Sequence, residues 1–260
     1  MMYLKSDQEI ELMRASALLV SKTLATVGQE IRPGVSTKYL DKIGETFIRD
    51  NGAVPSFLNF CGYPASLCIS VNETVVHGIP DEKIIIKEGD IVSVDCGVIL
   101  NGWHGDSAYT FACGEVSPEV QHLLDVTRQS LELGIEKAVA GNRVGDIGYA
   151  VQSYCEAEGL GVVRDLVGHG IGRDMHEEPE IPNYGRRGTG HLLKEGMVIC
   201  IEPMINMGTY RVTISEKDGW TVKTADHLPS AHFEKQLAVR KNHADVLTSY
   251  DEINKILKKQ

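Results

Sequence analysis

Between Lys87 and Arg128 the sequence contains no lysine or arginine, yet two aspartates, Asp95 and Asp106, fall there inside stretches patterned as strands. Asp90-Ile-Val-Ser-Val-Asp95-Cys-Gly alternates apolar and polar positions as a half-buried strand does. Asn101-Gly102 is a type I′ turn signal, because both residues tolerate positive φ, and Trp103 to Cys113 returns as the partner strand. Taking Asn101 and Gly102 as the loop pairs Leu100 with Trp103 and, counting back, Asp95 with Ala108. Asp106 is then the diagonal neighbour of Asp95 on one face, about 7–8 Å away at the backbone. The plain alternative is that both aspartates point to solvent at a strand edge. Asp95, however, sits within Val92-Ser-Val94-Asp-Cys96, too apolar to be freely solvated, and a buried carboxylate needs a partner charge. With no basic side chain at hand, a metal cation is the better partner.

Further acids and imidazoles occupy comparable settings. Glu202 ends the apolar run Met197-Val-Ile-Cys-Ile201 before Pro203, and Glu234 follows Ala231-His232-Phe233, so each reads as a carboxylate on a β-like stretch. For Glu234 a salt bridge with the adjoining Lys235 is a respectable alternative; Glu202 has no basic neighbour in sequence. His169 lies in Gly168-His169-Gly170-Ile-Gly172, where flanking glycines let backbones approach closely. His176 lies in Met175-His176-Glu-Glu-Pro179, and His77 in Val75-Val-His77-Gly-Ile-Pro80. His104, His122, His191, His227 and His243 read as ordinary core or surface histidines.

Around these residues the elements alternate between helix pairs and β-rich stretches. Ser6 with Glu9 forms a capping box that opens a helix whose stripe is Ile10, Met13, Ala17, Leu18 and Leu24. A second helix is expected from about Ser36 to Asp50 and stops at Gly52. Ser117-Pro118-Glu119 opens a third that reaches roughly Ala140, and a fourth spans about Val144 to Glu158. Gly34 and Gly141, Phe47 and Tyr154, and Gly52 and Gly159 are each 107 residues apart, a faint sign that one helix pair is used twice. Residues 67 to 113 and 196 to 240 are β-rich, which predicts an α+β chain of two similar halves, about 1–115 and 116–260, sharing one core in a single domain.

The formal charge of −10, from 36 acidic against 26 basic residues, argues against nucleic acid as a substrate. No apolar run is long enough to cross a membrane, and the start lacks a signal-peptide pattern, so a cytoplasmic location is expected. The six cysteines are scattered without a Cys-x-x-Cys pair and read as reduced, mostly buried small hydrophobes.

Asp95, Asp106, His169, Glu202 and Glu234 have the order and spacing of the five metal ligands of the pita-bread metalloenzymes. Asn72-Glu-Thr-Val-Val-His77-Gly-Ile-Pro80, Gly105-Asp106-Ser, Gly168-His169-Gly-Ile-Gly172, His176-Glu-Glu-Pro179 and Ile201-Glu202-Pro-Met204 resemble type I methionine aminopeptidase of the bacterial form, over nearly the whole chain. The resemblance implies the pita-bread fold, two pseudo-symmetric halves around a curved antiparallel sheet core flanked by helices. Three places depart from the family pattern. Ala231-His232-Phe233-Glu234-Lys235-Gln236 stands where Ala-Gln-Phe-Glu-His-Thr is common, Met175 where phenylalanine is usual, and Phe57 where a pocket cysteine is often found.

The resemblance also implies the chemistry. Two divalent ions, cobalt, manganese or iron with zinc and nickel as alternatives, would be bridged by Asp106 and Glu234, with Asp95 on one and His169 and Glu202 on the other. Four carboxylates and one imidazole suit such hard or borderline ions, and the two ions' positive charge offsets the carboxylates. An ion-activated hydroxide would attack the first peptide bond, Glu202 would relay a proton, His176 would stabilise the oxyanion and His77 would orient the scissile amide. Phe57, Phe60, Tyr63, Cys68, His77 and Trp220 would line the methionine pocket; for Phe57 and Phe60, plain core packing is an equal alternative.

The implied substrates are nascent polypeptide N-termini with a small second residue, met near the ribosomal exit tunnel by a monomer. A proline-directed peptidase and a non-cleaving binding module on the same scaffold are the competing readings. Met2 is large, so the protein should keep its own Met1. Mass spectrometry of the native N-terminus checks this, and a chain starting at Met2 would contradict it.

Overall fold

The structure, a computed structural model, describes residues 3–258; Met1 and Met2 lie outside the described residues. The first helix, α1 (Asp7–Gly28), begins as its capping box dictates: Glu9 N–H donates to Ser6 Oγ and Ser6 N–H donates to the Glu9 carboxylate. Ile10, Met13, Ala17, Val20 and Leu24 are fully buried, whereas Leu18, expected on the same stripe, is 40% exposed. The stripe turns through Leu19 and Val20 instead, on the face that packs against the strands Ile91–Leu100 and Trp103–Ala112. The second helix, α2 (Thr37–Asp50), is capped by Ser36, whose Oγ accepts from Tyr39 N–H.

In the second half α3 (Pro118–Ile135) and α4 (Val144–Ala157) pack against each other. The end of α3 comes earlier than the expected Ala140. Val139 bridges to Arg240 and the Ala140 N–H donates to the Arg240 carbonyl, so tertiary pairing draws those residues out of the helix. Gly34 and Gly141 share φ values of 90° and 98°, and Gly52 and Gly159 share 74° and 81°, so the spaced glycines adopt matching left-handed turns. A short helix, α5 (Asp251–Leu257), follows the last strand; sequence patterning gave no warning of it.

The hairpin is built from Ile91–Leu100 and Trp103–Ala112, with Leu100 opposite Trp103 and Asp95 opposite Ala108, in the register the turn implies. Asn101 and Gly102 both take positive φ, 55° and 75°. In the second half Val198–Ile201 pairs with Lys235–Val239, ending at Ile201 opposite Lys235. Met204–Asn206 pairs with Ser230–His232, starting at Met204 opposite His232. Between these two ladders both chains break at the same level. Glu202-Pro203 faces Phe233-Glu234, so neither glutamate lies within a strand as expected; both occupy the gap. Pro203 has no N–H to continue a ladder, which is a local reason for the interruption.

Among the described residues every strand ladder is antiparallel, in sheets of four, three, three and five strands. The two halves meet along a polar seam. Glu234 N–H donates to the Ala108 carbonyl at 3.0 Å, Ser107 Oγ donates to the Glu234 carbonyl at 2.5 Å, and Thr110 Oγ1 donates to the His232 carbonyl at 2.7 Å. The Tyr250 hydroxyl lies within 2.8 Å of both the Ala108 and the Glu234 carbonyl oxygens. One apolar cluster runs beneath this seam, with Val20, Val94, Leu123 and Ile199 among its members, so both halves share it. No helix among the described residues is long and apolar enough to cross a membrane.

Candidate metal centre

The hairpin and the double break point their acids into one cavity of about 520 Å³, lined by Asp95, Asp106, His169, Glu202 and Glu234 together with His77 and His176. Donor atoms of Asp106, His169, Cys200 and Glu234 lie within 4.8 Å of one another. His169 Nε2 is 3.6 Å from Asp106 Oδ2 and 3.6 Å from Glu202 Oε1. His169 Nδ1 lies 2.9 Å from the Gly170 carbonyl oxygen, which can only accept, so the proton sits on Nδ1. Nε2 therefore turns a free lone pair towards the acids, the tautomer a metal-binding imidazole requires.

Gly168 and Gly170 make this placement possible. A Cβ on Gly168 would lie 2.4 Å from the Cys200 carbonyl oxygen, and one on Gly170 2.4 Å from that of Glu178. Gly168→Ala must therefore push the His169 strand off Val198–Ile201. Overpacking of this kind costs about 1–3 kcal/mol, which for a chain of this size lowers the melting temperature by roughly 3–10 °C. A thermal melt followed by circular dichroism checks it; an unchanged midpoint would show the strand has room.

The electrostatics call for a cation. Burial, then the neighbouring acids, push Asp95, Glu202 and Glu234 well above the usual carboxylate range, and burial pushes Asp106 up as well. Asp95 Oδ1, Asp106 Oδ1 and Glu234 Oε1 are buried without a hydrogen-bond partner among the described residues. Among the described residues no lysine or arginine lines the cavity, and Lys235, the neighbour that could have paired with Glu234, bonds Glu132 at 2.5 Å instead. Four carboxylates, an imidazole lone pair and no countercharge fit divalent cations. Cys200 is the less suitable donor: burial and then Glu234 hold its thiol protonated.

At the rim, His176 is exposed at its outer edge, yet the enclosing walls and then His169 push its pKa down to about 4. Burial and then His176 bring His77 down to about 4 as well. Both imidazoles are thus neutral at pH 7. His77 itself takes a left-handed φ of 57°, which turns its ring to within 6.1 Å of Trp220. Phe57, Tyr63, Cys68 and Met175 form an apolar cluster separate from the main core, with Phe60 and Trp220 packed on it. These aromatics therefore wall the cavity, and Phe57 and Phe60 are no part of the main core.

Three features were not foreseen from sequence. His232, noted there only as a departure from the family pattern, is fully buried and lines the cavity with both ring nitrogens unpartnered among the described residues. Cys200 reaches the acids from what reads as an ordinary apolar strand. Lys5, itself buried, clamps Glu177 at 2.5 Å and so ties down the loop that carries His176. Of the histidines set aside, His104 is a satisfied core residue, 2.9 Å from Ser56 Oγ, and His122, His191, His227 and His243 are exposed.

The chain belongs to metallopeptidase family M24, whose model matches residues 11–241. It is 51% identical over 248 residues to the methionine aminopeptidase of Clostridium acetobutylicum, covering 95% of this chain and 99% of that one. The crystal structure of methionine aminopeptidase from Rickettsia prowazekii superposes with a TM-score of 0.94 at 43% identity, covering 96% of this chain and all of that one. Within the family the chain is thus of the bacterial, type I methionine aminopeptidase kind. Prolidase from Pyrococcus furiosus, at 23% identity and a TM-score of 0.77 over 95% of this chain and 65% of that one, shares the fold alone, the pita-bread architecture expected above.

Proposed function

We propose that this chain removes the N-terminal methionine from nascent polypeptides whose second residue is small, acting in the cytoplasm as a monomer. The observation that carries the reading is the adjacency, in one cavity, of a cation-demanding acid cluster and an apolar pocket of Phe57, Tyr63, Cys68 and Met175. An unbranched thioether gains about 0.3–1.5 kcal/mol from each aromatic contact, which suits methionine to such walls. Asp95, Asp106, His169, Glu202 and Glu234 would hold two divalent ions. Bound there, the ions would polarise the scissile carbonyl and lower the pKa of water towards neutrality.

The chain's own groups do the rest. Neutral His176 donates an N–H to the oxygen that gains charge, a contribution of about 3–4 kcal/mol for a well-placed donor. His77, close to Trp220, orients the amide nitrogen of the scissile bond. Glu202 carries a proton towards that nitrogen as it leaves. The test is to strip the protein of metal and assay Met-Ala-Ser while restoring manganese, iron, cobalt or zinc in turn. Activity should return with at least one ion, and an X-Pro peptide should remain uncut. X-Pro cleavage would move the chain to proline-directed peptidases, and no cleavage of either would make it a binding module.

A further inference from the structure

His232 is a buried imidazole that nothing above employs. Its backbone is fixed from two sides: its N–H donates to Thr110 Oγ1 at 2.9 Å, and its residue pairs with Met204 across the ladder. The residue is 1% exposed, its ring opens on the cavity, and neither Nδ1 nor Nε2 has a hydrogen-bond partner among the described residues. A buried polar ring with two free nitrogens is costly unless a partner arrives in the working state. The nearest acid is Glu202. Its carboxylate stands between two imidazoles, with Oε1 3.6 Å from His169 Nε2 and Oε2 3.7 Å from His232 Nε2.

We propose that His232 is a positioning residue for Glu202: its Nε2–H holds the Oε2 oxygen, so that Oε1 is the one presented to an ion on the His169 side. The inference rests on the reading of Glu202 as a metal-site carboxylate. The gap of 3.7 Å is longer than a hydrogen bond, and a small turn of the Glu202 carboxyl closes it. The Glu202 backbone leaves the carboxyl as the moving part, because its carbonyl is held by Asn183 Nδ2 at 2.9 Å. A carboxylate fixed through one oxygen loses less freedom when the other takes an ion. Partners of this outer kind typically govern metal affinity or turnover by about 10–100-fold.

Chain geometry supplies the test. The amide nitrogen of glutamine stands as many bonds from Cβ as imidazole Nε2, and that of asparagine as many as Nδ1. Metal-free parent, His232→Gln, His232→Asn and His232→Leu are titrated with manganese by calorimetry, melted, and assayed on Met-Ala-Ser. His232→Gln should stay within about 3-fold of the parent in manganese affinity and kcat. His232→Asn and His232→Leu should bind manganese about 10-fold more weakly and lose about 10–100-fold in kcat, with KM changed less than about 2-fold, since the ring does not hold the methionine side chain.

Parent-like behaviour of His232→Leu would overturn the proposal, as would asparagine matching glutamine or glutamine failing with leucine. If the leucine variant does not fold, the glutamine and asparagine pair decides. A parent that cuts no Met-Ala-Ser would sink the peptidase reading, while the manganese affinities would still judge His232.

Discussion

Asp106→Ala is expected to abolish divalent-ion binding and to lower Met-Ala-Ser hydrolysis by on the order of 10³-fold or more, since ion-assisted lowering of the water pKa is lost. Asp106 is the acid on which the cluster converges: its Oδ2 faces His169, and it lies against Asp95 and close to Glu234. The same substitution has a second outcome that a purely structural role would not produce. Without ions, the parent at pH 7.5 must either keep protons on raised carboxyls or bury their charge, and both cost stability. Removing one acid relieves that cost, so the metal-free variant should melt no lower than the metal-free parent. Calorimetric titration and paired melts read both effects. Retained turnover, or a metal-free midpoint well below the parent's, would contradict the assignment of Asp106 to the ions.

The ion-induced rise in melting temperature should grow with pH. Asp95, Asp106, Glu202 and Glu234 are all pushed up in the folded chain, with burial as the first cause. From the unfolded carboxyl values, about 4, up to the raised folded values, the folded state binds more protons than the unfolded one. Stability of the metal-free protein therefore falls as pH rises through that window. Cations that replace the protons cancel the loss, so the loaded protein should show a flatter profile. At a hundredfold excess over Kd an ion contributes about 2.7 kcal/mol, or roughly 5–10 °C for a chain of this length. The shift should approach that value at pH 8 and shrink towards pH 5. Differential scanning calorimetry at four pH values measures it, and a shift independent of pH would argue that the acids are charged without ions.

Much of this architecture can be read from short-range chemistry. Ser6 and Glu9 cap α1, and Asn101-Gly102 sets the register that puts Asp95 and Asp106 on one face. These features depend on neighbours in sequence, where spacing carries the information. What escaped depends on partners far along the chain. Val139 and Ala140 look helical but are claimed by Arg240. Glu202 and Glu234 sit in a gap that exists only because two ladders stop opposite each other. His232 stands out in sequence only as a departure from the family pattern beside Glu234; its role does not show there, because only the fold brings Glu202 to its ring. The aromatics were ambiguous for a related reason. A phenylalanine in a core and one lining a cavity have the same sequence, and separation from the main cluster is a property of the folded molecule alone.

The seam at Ser107, Ala108, Glu234 and Tyr250 is made wholly of backbone and hydroxyl groups, none of them charged. It acts as a jig, setting the spacing between the two sets of acids by neutral contacts that no cation has to assemble. Exchanging one divalent species for another should then retune the chemistry of the cavity while amide-exchange protection along the seam stays the same.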